Sequence, residues 1–237
     1  MAYKINENFF DNIDSENKAY WMGFIWCDGY SNKRMRKNGR VELAFKLSLQ
    51  ESDKSHLEKF AKDLESSCKI RIYELKNSFE NCQNEARLLI GNQYFSNVLQ
   101  NEYGLIPHRI DCSKVCDKIP KIFYKDFIRG ILDADGSFSK YTINNGRHNK
   151  YSVDFSTYQN LLWWILDVLY ESGIVENKDR KLYRRNKERD GECRSLRFSG
   201  KTQGMNVLNY LYKDSKIYLD RKYEKYLKIR NEAGYEI

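Results

Sequence analysis

The chain has 237 residues, with 41% hydrophobic and 31% charged side chains, a balance too apolar for a disordered tail and too polar for a membrane protein. Its 41 Lys and Arg against 33 Asp and Glu leave a net charge of +8, which points toward a polyanionic partner. No window approaches the ~18 uninterrupted apolar residues of a spanning helix, no export signal is visible, and the 6 cysteines form no CxxC pair beside 3 scattered histidines. Secreted, membrane and zinc-finger classes are set aside, and an intracellular chain with reduced thiols is expected.

In chain order, Tyr20–Cys27 reads as a helix ending at Asp28-Gly29. A basic hairpin follows, with Lys33–Lys37, a turn at Asn38-Gly39 and the alternating run Val41–Leu47. Leu57, Phe60, Ala61 and Leu64 stripe a helix. Ile70–Leu75 and Arg87–Ile90 read as strands, and Tyr94–Leu99 as a short amphipathic helix. Residues 104–122, holding the only prolines, Pro107 and Pro120, form a linker. The series then returns. Phe127–Ala134 reads as a helix ending at Asp135-Gly136, and strands at Phe138–Ile143 and Tyr151–Phe155 flank a turn near Asn144-Asn145-Gly146. Leu161, Leu162, Ile165, Leu166 and Leu169 stripe the next helix, Lys181–Arg185 and Ser195–Phe198 read as strands, and Met205–Tyr212 closes the series. Two basic runs, Ser31–Arg40 and Lys178–Arg189, lie beside these strands and favour a nucleic acid.

The chain is therefore an internal repeat. Gly23 and Gly130 each stand five residues before an Asp-Gly pair, and Asp28 and Asp135 are 107 residues apart. The expected fold class is α+β, two pseudo-twofold-related halves over residues 1–103 and 123–237. A glycine inside a helix costs about 1 kcal/mol relative to alanine, and close helix–helix packing at the pseudo-twofold axis is the reason offered for both. Each aspartate faces the negative pole of its own helix, and the glycine after it suits a left-handed turn. A divalent cation would turn that electrostatic liability into a site built from carboxylates and carbonyl oxygens. Two such carboxylates with bound metal suit hydrolysis of two phosphodiesters, one per strand of a duplex.

The segment GILDADG at Gly130–Gly136, preceded by Asp126-Phe127-Ile128-Arg129, resembles the second LAGLIDADG motif of the monomeric, two-motif homing endonucleases. WMGFIWCDG at Trp21–Gly29 resembles a diverged first copy, and the hairpins and the GLIP segment at Gly104–Pro107 also fit. The resemblance implies two αββαββα repeats whose antiparallel sheets form a saddle over the DNA major groove, with the motif helices packed at the centre. It implies a Mg2+-dependent, sequence-specific double-strand DNA endonuclease that leaves 3′ extensions within a long pseudo-palindromic site. The metal would sit on Asp28 and Asp135 with the backbone carbonyls of Cys27 and Ala134, and Mn2+ or Ca2+ can occupy the same sites. One position departs from the pattern, since the place of Asp133 in the second motif is held by Trp26 in the first.

Gln50, Lys54, Arg109 and Lys222 complete the catalytic set that the resemblance implies, with Ser156 or Gln159 as second-half counterparts of Gln50. DNA contacts are expected from Lys33, Arg34, Arg36, Arg40, Lys46 and Arg71 in the first half. The second half offers Lys140, Arg147, Arg184, Arg194 and Arg197, and strand alternation lets only about half of all these face DNA. The expected partner is double-stranded DNA, bound by one monomer, with no membrane involved. Two rivals use the same scaffold: an RNA-splicing maturase acting on its host intron RNA, and a non-cleaving DNA-binding regulator.

Overall fold

The computed structural model describes residues 4–35, 39, 41–74, 84–107, 111–143, 148–184 and 191–234, with the backbone alone at Asn32 and Arg34. Ser15, extended at φ −147° and ψ 158°, accepts the Lys18 N–H at 3.4 Å and starts helix α1 (Glu16–Asp28). Ala19 to Trp26 are all buried, so α1 is apolar on every side and belongs in a core. Strands β1 (Gly29–Met35) and β2 (Val41–Gln50), helix α2 (Lys54–Asp63), strands β3 (Arg71–Tyr73) and β4 (Glu85–Ile90) and helix α3 (Gln93–Asn101) complete the first half. Its four strands are antiparallel, in the order β1-β2-β4-β3. Leu43, Phe45 and Leu47 of β2 are buried toward the helices, so the intervening Lys46, Ser48 and Gln50 turn to the other face.

A short helix α4 (Ser113–Lys118) precedes helix α5 (Tyr124–Asp135). Strands β5 (Ser137–Ile143) and β6 (His148–Tyr158), helix α6 (Gln159–Glu171), strand β7 (Cys193–Gly200) and helices α7 (Gln203–Tyr212) and α8 (Asp220–Glu232) follow. The second sheet is antiparallel, in the order β5-β6-β7. The fold is thus α+β, with two antiparallel sheets each covered by helices on one face only. Among the described residues no helix is long and apolar enough to cross a membrane.

The two halves meet where α1 crosses α5. A Cβ on Gly23 would stand 2.0 Å from the carbonyl oxygen of Phe127, and a Cβ on Gly130 would stand 2.1 Å from that of Tyr20. The two glycines let backbone lie on backbone, as the sequence suggested, and this contact sets where both helix ends emerge.

Several expectations are corrected. Gly29 (φ −75°, ψ 144°) and Gly136 (φ −86°, ψ 172°) are extended, not left-handed. Glycine is needed there for space, since a Cβ would lie 2.4 Å from the Ile25 carbonyl oxygen at Gly29 and 2.4 Å from a Leu132 methyl at Gly136. The strand expected over Lys181–Arg185 reduces, within its described residues, to one bridge between Tyr183 and Ser195, because Tyr183 alone is held there. The linker contains α4, and α8 is an element that no repeat predicted. Its buried stripe is only Lys222, Tyr226 and Ile229 on an otherwise hydrophilic helix, too sparse to read from periodicity.

Candidate functional site

Asp28 and Asp135 are the last residues of α1 and α5, with Asp28 half-buried and Asp135 exposed. Near both is Lys222, on the first turn of α8 and only 6% exposed. Its ammonium donates to the carbonyl oxygens of Leu132 at 2.6 Å, Asp133 at 2.7 Å and Gly136 at 2.8 Å, closing the end of α5, where Leu132 O also accepts the Gly136 N–H. Burial pulls its pKa down to about 8, while Asp133, Asp28 and Asp135 pull the other way and Arg221 adds to the fall. Both metal-candidate aspartates therefore lie within electrostatic reach of one ammonium, and the region around it is the candidate centre. Lys222 joins this centre, but all three of its hydrogen bonds go to backbone.

Beneath that centre runs a polar chain that the sequence did not reveal. Asp133 is fully buried. It accepts from the Tyr212 hydroxyl at 2.5 Å, the Tyr20 hydroxyl at 2.8 Å and the Leu219 N–H at 2.8 Å. Burial pushes its carboxyl up, against the lowering effects of Lys222 and these donors, and burial pushes both phenols well above their ordinary value, so they stay protonated and donate. The Tyr20 oxygen also lies 3.0 Å from Nε2 of the buried His56. Because the Tyr20 proton goes to Asp133, His56 carries its proton on Nε2, leaving Nδ1 buried without a hydrogen bond. Burial, with Lys59, Arg221 and Lys222 nearby, brings the imidazole down to about 3. The chain His56–Tyr20–Asp133–Tyr212 joins α2 and α1 of one half to α5 and α7 of the other.

Arg129 is a second buried link. It reaches Ile217 O (2.9 Å), Leu211 O (2.9 Å), Glu16 Oε1 (3.0 Å) and Asp126 Oδ1 (2.9 Å). The α8 entrance also grips the first half. Arg221 Nε lies 3.0 Å from both carboxylate oxygens of Asp53, and Lys59 pairs with Asp220. The only foresight available for these residues was Asp133 itself, a charge in an apolar motif.

The remaining candidates scatter more widely. Gln50 is exposed at the end of β2, on the side away from the helices. Lys54 opens α2 and is held 2.9 Å from Glu58, which accounts for its raised pKa. Ser156 bonds Ser195 at 3.0 Å, and Gln159 is exposed at the start of α6. Arg36, Arg40, Arg109 and Arg147 lie outside the described residues, and Arg34 is described only as the β1 partner of Glu42.

Register decides which basic residues share the open face of each sheet. In the first sheet Lys46 pairs with Tyr30 and Leu89, and Arg71 pairs with Arg87. These residues alternate with the core positions and form the open face. Lys46 Nζ stands 5.5 Å from the Tyr30 ring centroid, and Arg87 is held by Glu85 through two 3.0 Å bonds. Lys33 does not belong here. It pairs with Leu43 and has the parity of Ser31, whose hydroxyl meets Gln100 of α3. In the second sheet Lys140 pairs with Tyr151, on the helix side, and its ammonium lies 2.7 Å from Glu232 of α8. Arg194 shares the parity of Leu196 and Phe198 and donates to the Gly191 and Cys193 carbonyls. Arg184 is exposed beside the Tyr183 bridge, and Arg197 is on the open face opposite Asp154. Lys33, Lys140 and Arg194 are thus removed from the face that the sequence assigned them, while Lys46, Arg71 and Arg197 are on it.

Among the described residues no group of three or more His, Cys, Asp or Glu side chains could hold a metal ion. The oxygen donors at the centre are two carboxylates and the ends of two helices, a hard set of the kind Mg2+ accepts when a substrate phosphate and waters fill the remaining positions.

No family model and no characterised protein sequence matches the chain. Solved structures do match it. The LAGLIDADG meganuclease I-AabMI bound to uncleaved DNA is similar at TM-score 0.59 and 14% identity, over 91% of this chain and 90% of that one. The meganuclease I-SmaMI bound to uncleavable DNA gives 0.60 and 13%, over 92% and 91%. I-DmoI in complex with DNA and Ca gives 0.57 and 15%, over 94% and 99%. The chain has the fold of these two-motif LAGLIDADG endonucleases along almost its whole length.

Proposed function

We propose that this chain, built on the LAGLIDADG endonuclease fold, is a sequence-specific endonuclease that binds double-stranded DNA as a monomer. It hydrolyses one phosphodiester in each strand with a divalent cation, Mg2+ in the cell, and leaves 3′ extensions. The observation that supports the reading is the glycine-to-backbone crossing of α1 and α5, whose ends carry Asp28 and Asp135 within electrostatic reach of Lys222, beside two sheets with basic residues on their open faces. Two solved structures of this fold hold DNA in their complexes and a third holds DNA with Ca.

The residues here fit a divalent ion. Asp28 and Asp135 would hold it, with the Cys27 and Ala134 carbonyls beside them, and when bound it would neutralise phosphate charge and acidify the attacking water. The chain's own work is positioning. Lys222 offsets the two carboxylates against the negative ends of their helices, and through three backbone bonds it fixes the α5 terminus on which Asp135 stands. Lys46, Arg71 and Arg197 supply positive charge on the open faces, which attracts the phosphate backbone and makes binding salt-dependent.

The test is a cleavage selection from a random-sequence duplex library, with Mg2+ and with EDTA, for the wild type and for Asp28→Asn and Asp135→Asn. A Mg2+-dependent double-strand cut at one enriched sequence, lost in both variants while binding persists, is the expected result. Retained cutting in both variants would remove the metal centre from the mechanism. Tight, sequence-selective binding without any cut would identify a DNA-binding regulator instead.

A further inference from the structure

Six serines lie on the open face of the second sheet, with Tyr141, Lys150 and Tyr158 toward its ends. Ser137 and Ser139 on β5, Ser152 and Ser156 on β6, and Ser195 and Ser199 on β7 share it by register, and Ser139 bonds Ser152 at 3.1 Å. Arg197 stands among the serines of β6 and β7, with Tyr141 of β5 near it. Arg197 faces Asp154 directly across the β6–β7 pair, and its side chain is 51% exposed while that of Asp154 is 6% exposed. One carboxylate oxygen of Asp154 accepts the Arg197 Nε–H at 2.7 Å and the Tyr183 hydroxyl at 2.5 Å. The guanidinium also lies 5.2 Å from the Tyr183 ring centroid. Arg197 is therefore held by its inner nitrogen alone, and among the described residues neither Nη meets an acceptor.

Two other arginines of these strands, Arg87 and Arg194, are placed differently. Arg87 gives both Nε and Nη2 to Glu85, two residues away on its own strand. Arg194 is folded onto its own backbone. A guanidinium held through Nε, with both terminal nitrogens outward, matches the O6 and N7 acceptors of guanine in the major groove. Held in advance, it loses little side-chain entropy on binding.

We propose that Arg197, fixed by Asp154 and Tyr183, is the residue that reads a guanine in the half-site under the second sheet. This rests on the DNA-endonuclease reading and names a specificity element within it. Ser137, Asp154 and Arg197 form one cross-strand row, and Ser137 follows Asp135 by two residues. Two strand spacings plus that step put the guanine about three to six base pairs from the cut, at 3.4 Å per pair.

The test applies the same random duplex library to the full-length wild type, Arg197→Lys and Arg197→Ala, with thermal melting of each protein as a folding control. The wild type should enrich a site with one guanine in that interval. The alanine variant should lose the preference at that position alone and the lysine variant should weaken it, and replacing that G·C pair should weaken wild-type binding by roughly tenfold to a hundredfold while leaving the alanine variant unaffected. Arg197→Lys keeps the charge but replaces the planar fork with a flexible point donor, so a lysine variant that selects guanine as strongly as the wild type, or an alanine variant that selects it at all, would overturn the proposal. A uniform loss across sequences, with a salt slope reduced by about one, would also overturn it and make Arg197 a phosphate contact. If the wild type enriches no sequence, the DNA reading fails and this proposal with it. If enrichment is unchanged in both variants, only the proposal for Arg197 fails.

Discussion

A Gly23→Ala substitution sets helix propensity against steric overlap at the α1–α5 crossing. Propensity favours alanine by about 1 kcal/mol. The new methyl carbon would sit 2.0 Å from the Phe127 carbonyl oxygen and 2.9 Å from its carbonyl carbon, and neither is a side chain that can rotate away. Since such contacts essentially never fall below 3.0 Å, the helices must part by about 1 Å. A gap of that size forfeits about a quarter to a half of the dispersion energy across the contact, and overpacking in cores costs about 1–3 kcal/mol. The balance is a net loss of about 2 kcal/mol. Gly130→Ala should behave alike, because its methyl would meet the Tyr20 carbonyl oxygen at 2.1 Å from the opposite side of the same crossing. One separation relieves both overlaps. The double variant shares one separation and gains helix propensity twice, so it should cost no more than either single one, a coupling of about 2–3 kcal/mol. Urea unfolding of the four proteins, compared through their midpoints at constant slope, measures this. A rise in midpoint for either single variant, or a double variant whose loss equals the sum, would refute the backbone-on-backbone reading.

His56 gives a pH prediction. Its folded pKa, about 3, is below the ordinary 6.5, so between those values the unfolded chain takes up the proton first and stability falls as pH drops, by up to ~1.4 kcal/mol per pH unit. His56→Phe should lose that component, so the wild type should weaken relative to the variant from pH 6.5 toward pH 3 in urea titrations; parallel curves would count against the buried neutral imidazole. At Asp133, the leucine variant strands two hydroxyls and the Leu219 N–H, whereas asparagine keeps one acceptor and lets a hydroxyl turn. Asp133→Leu should destabilise by about 3 kcal/mol or more and Asp133→Asn by about 1 kcal/mol, and equal losses in the same unfolding assay would contradict the bonding described.

The helix ends, the paired glycines and the order of most strands were legible because each follows from a local rule: a period, a turn residue, a missing side chain. What the local rules could not supply was parity. Lys33, Lys140 and Arg194 are all basic residues in strands, yet a shift of one residue decides whether such a residue meets solvent over the open sheet or the flank of a helix. Lys140 went to Glu232 because α8, itself unforeseen, lies along that side. The glycines after the aspartates show the same limit. A helix-ending Asp-Gly suggested a left-handed turn, but the chain runs straight into a strand, and the tight fit against Ile25 and Leu132 is a tertiary demand.

The difference between Trp26 and Asp133 shows how far two halves with a common plan have diverged beneath a shared centre. Trp26 is 2% exposed, and its indole ring ends 3.8 Å from where a Cβ on Gly104 would be, in the segment that leaves α3. Asp133 meets the Leu219 N–H in the segment that leads into α8. Each side chain thus secures chain that follows the last helix of its repeat, one by apolar contact and the other by a hydrogen bond. The carboxylate carries a burden that the indole does not, since a buried charge must be compensated. Tyr20, Tyr212 and Lys222 provide that compensation, and one of them, Tyr20, comes from the opposite half. Asp133 therefore ties the halves together as well as anchoring its own. A single chain can place such a bond on one side only, because its two motifs differ in sequence, Trp26 standing where the other has Asp133.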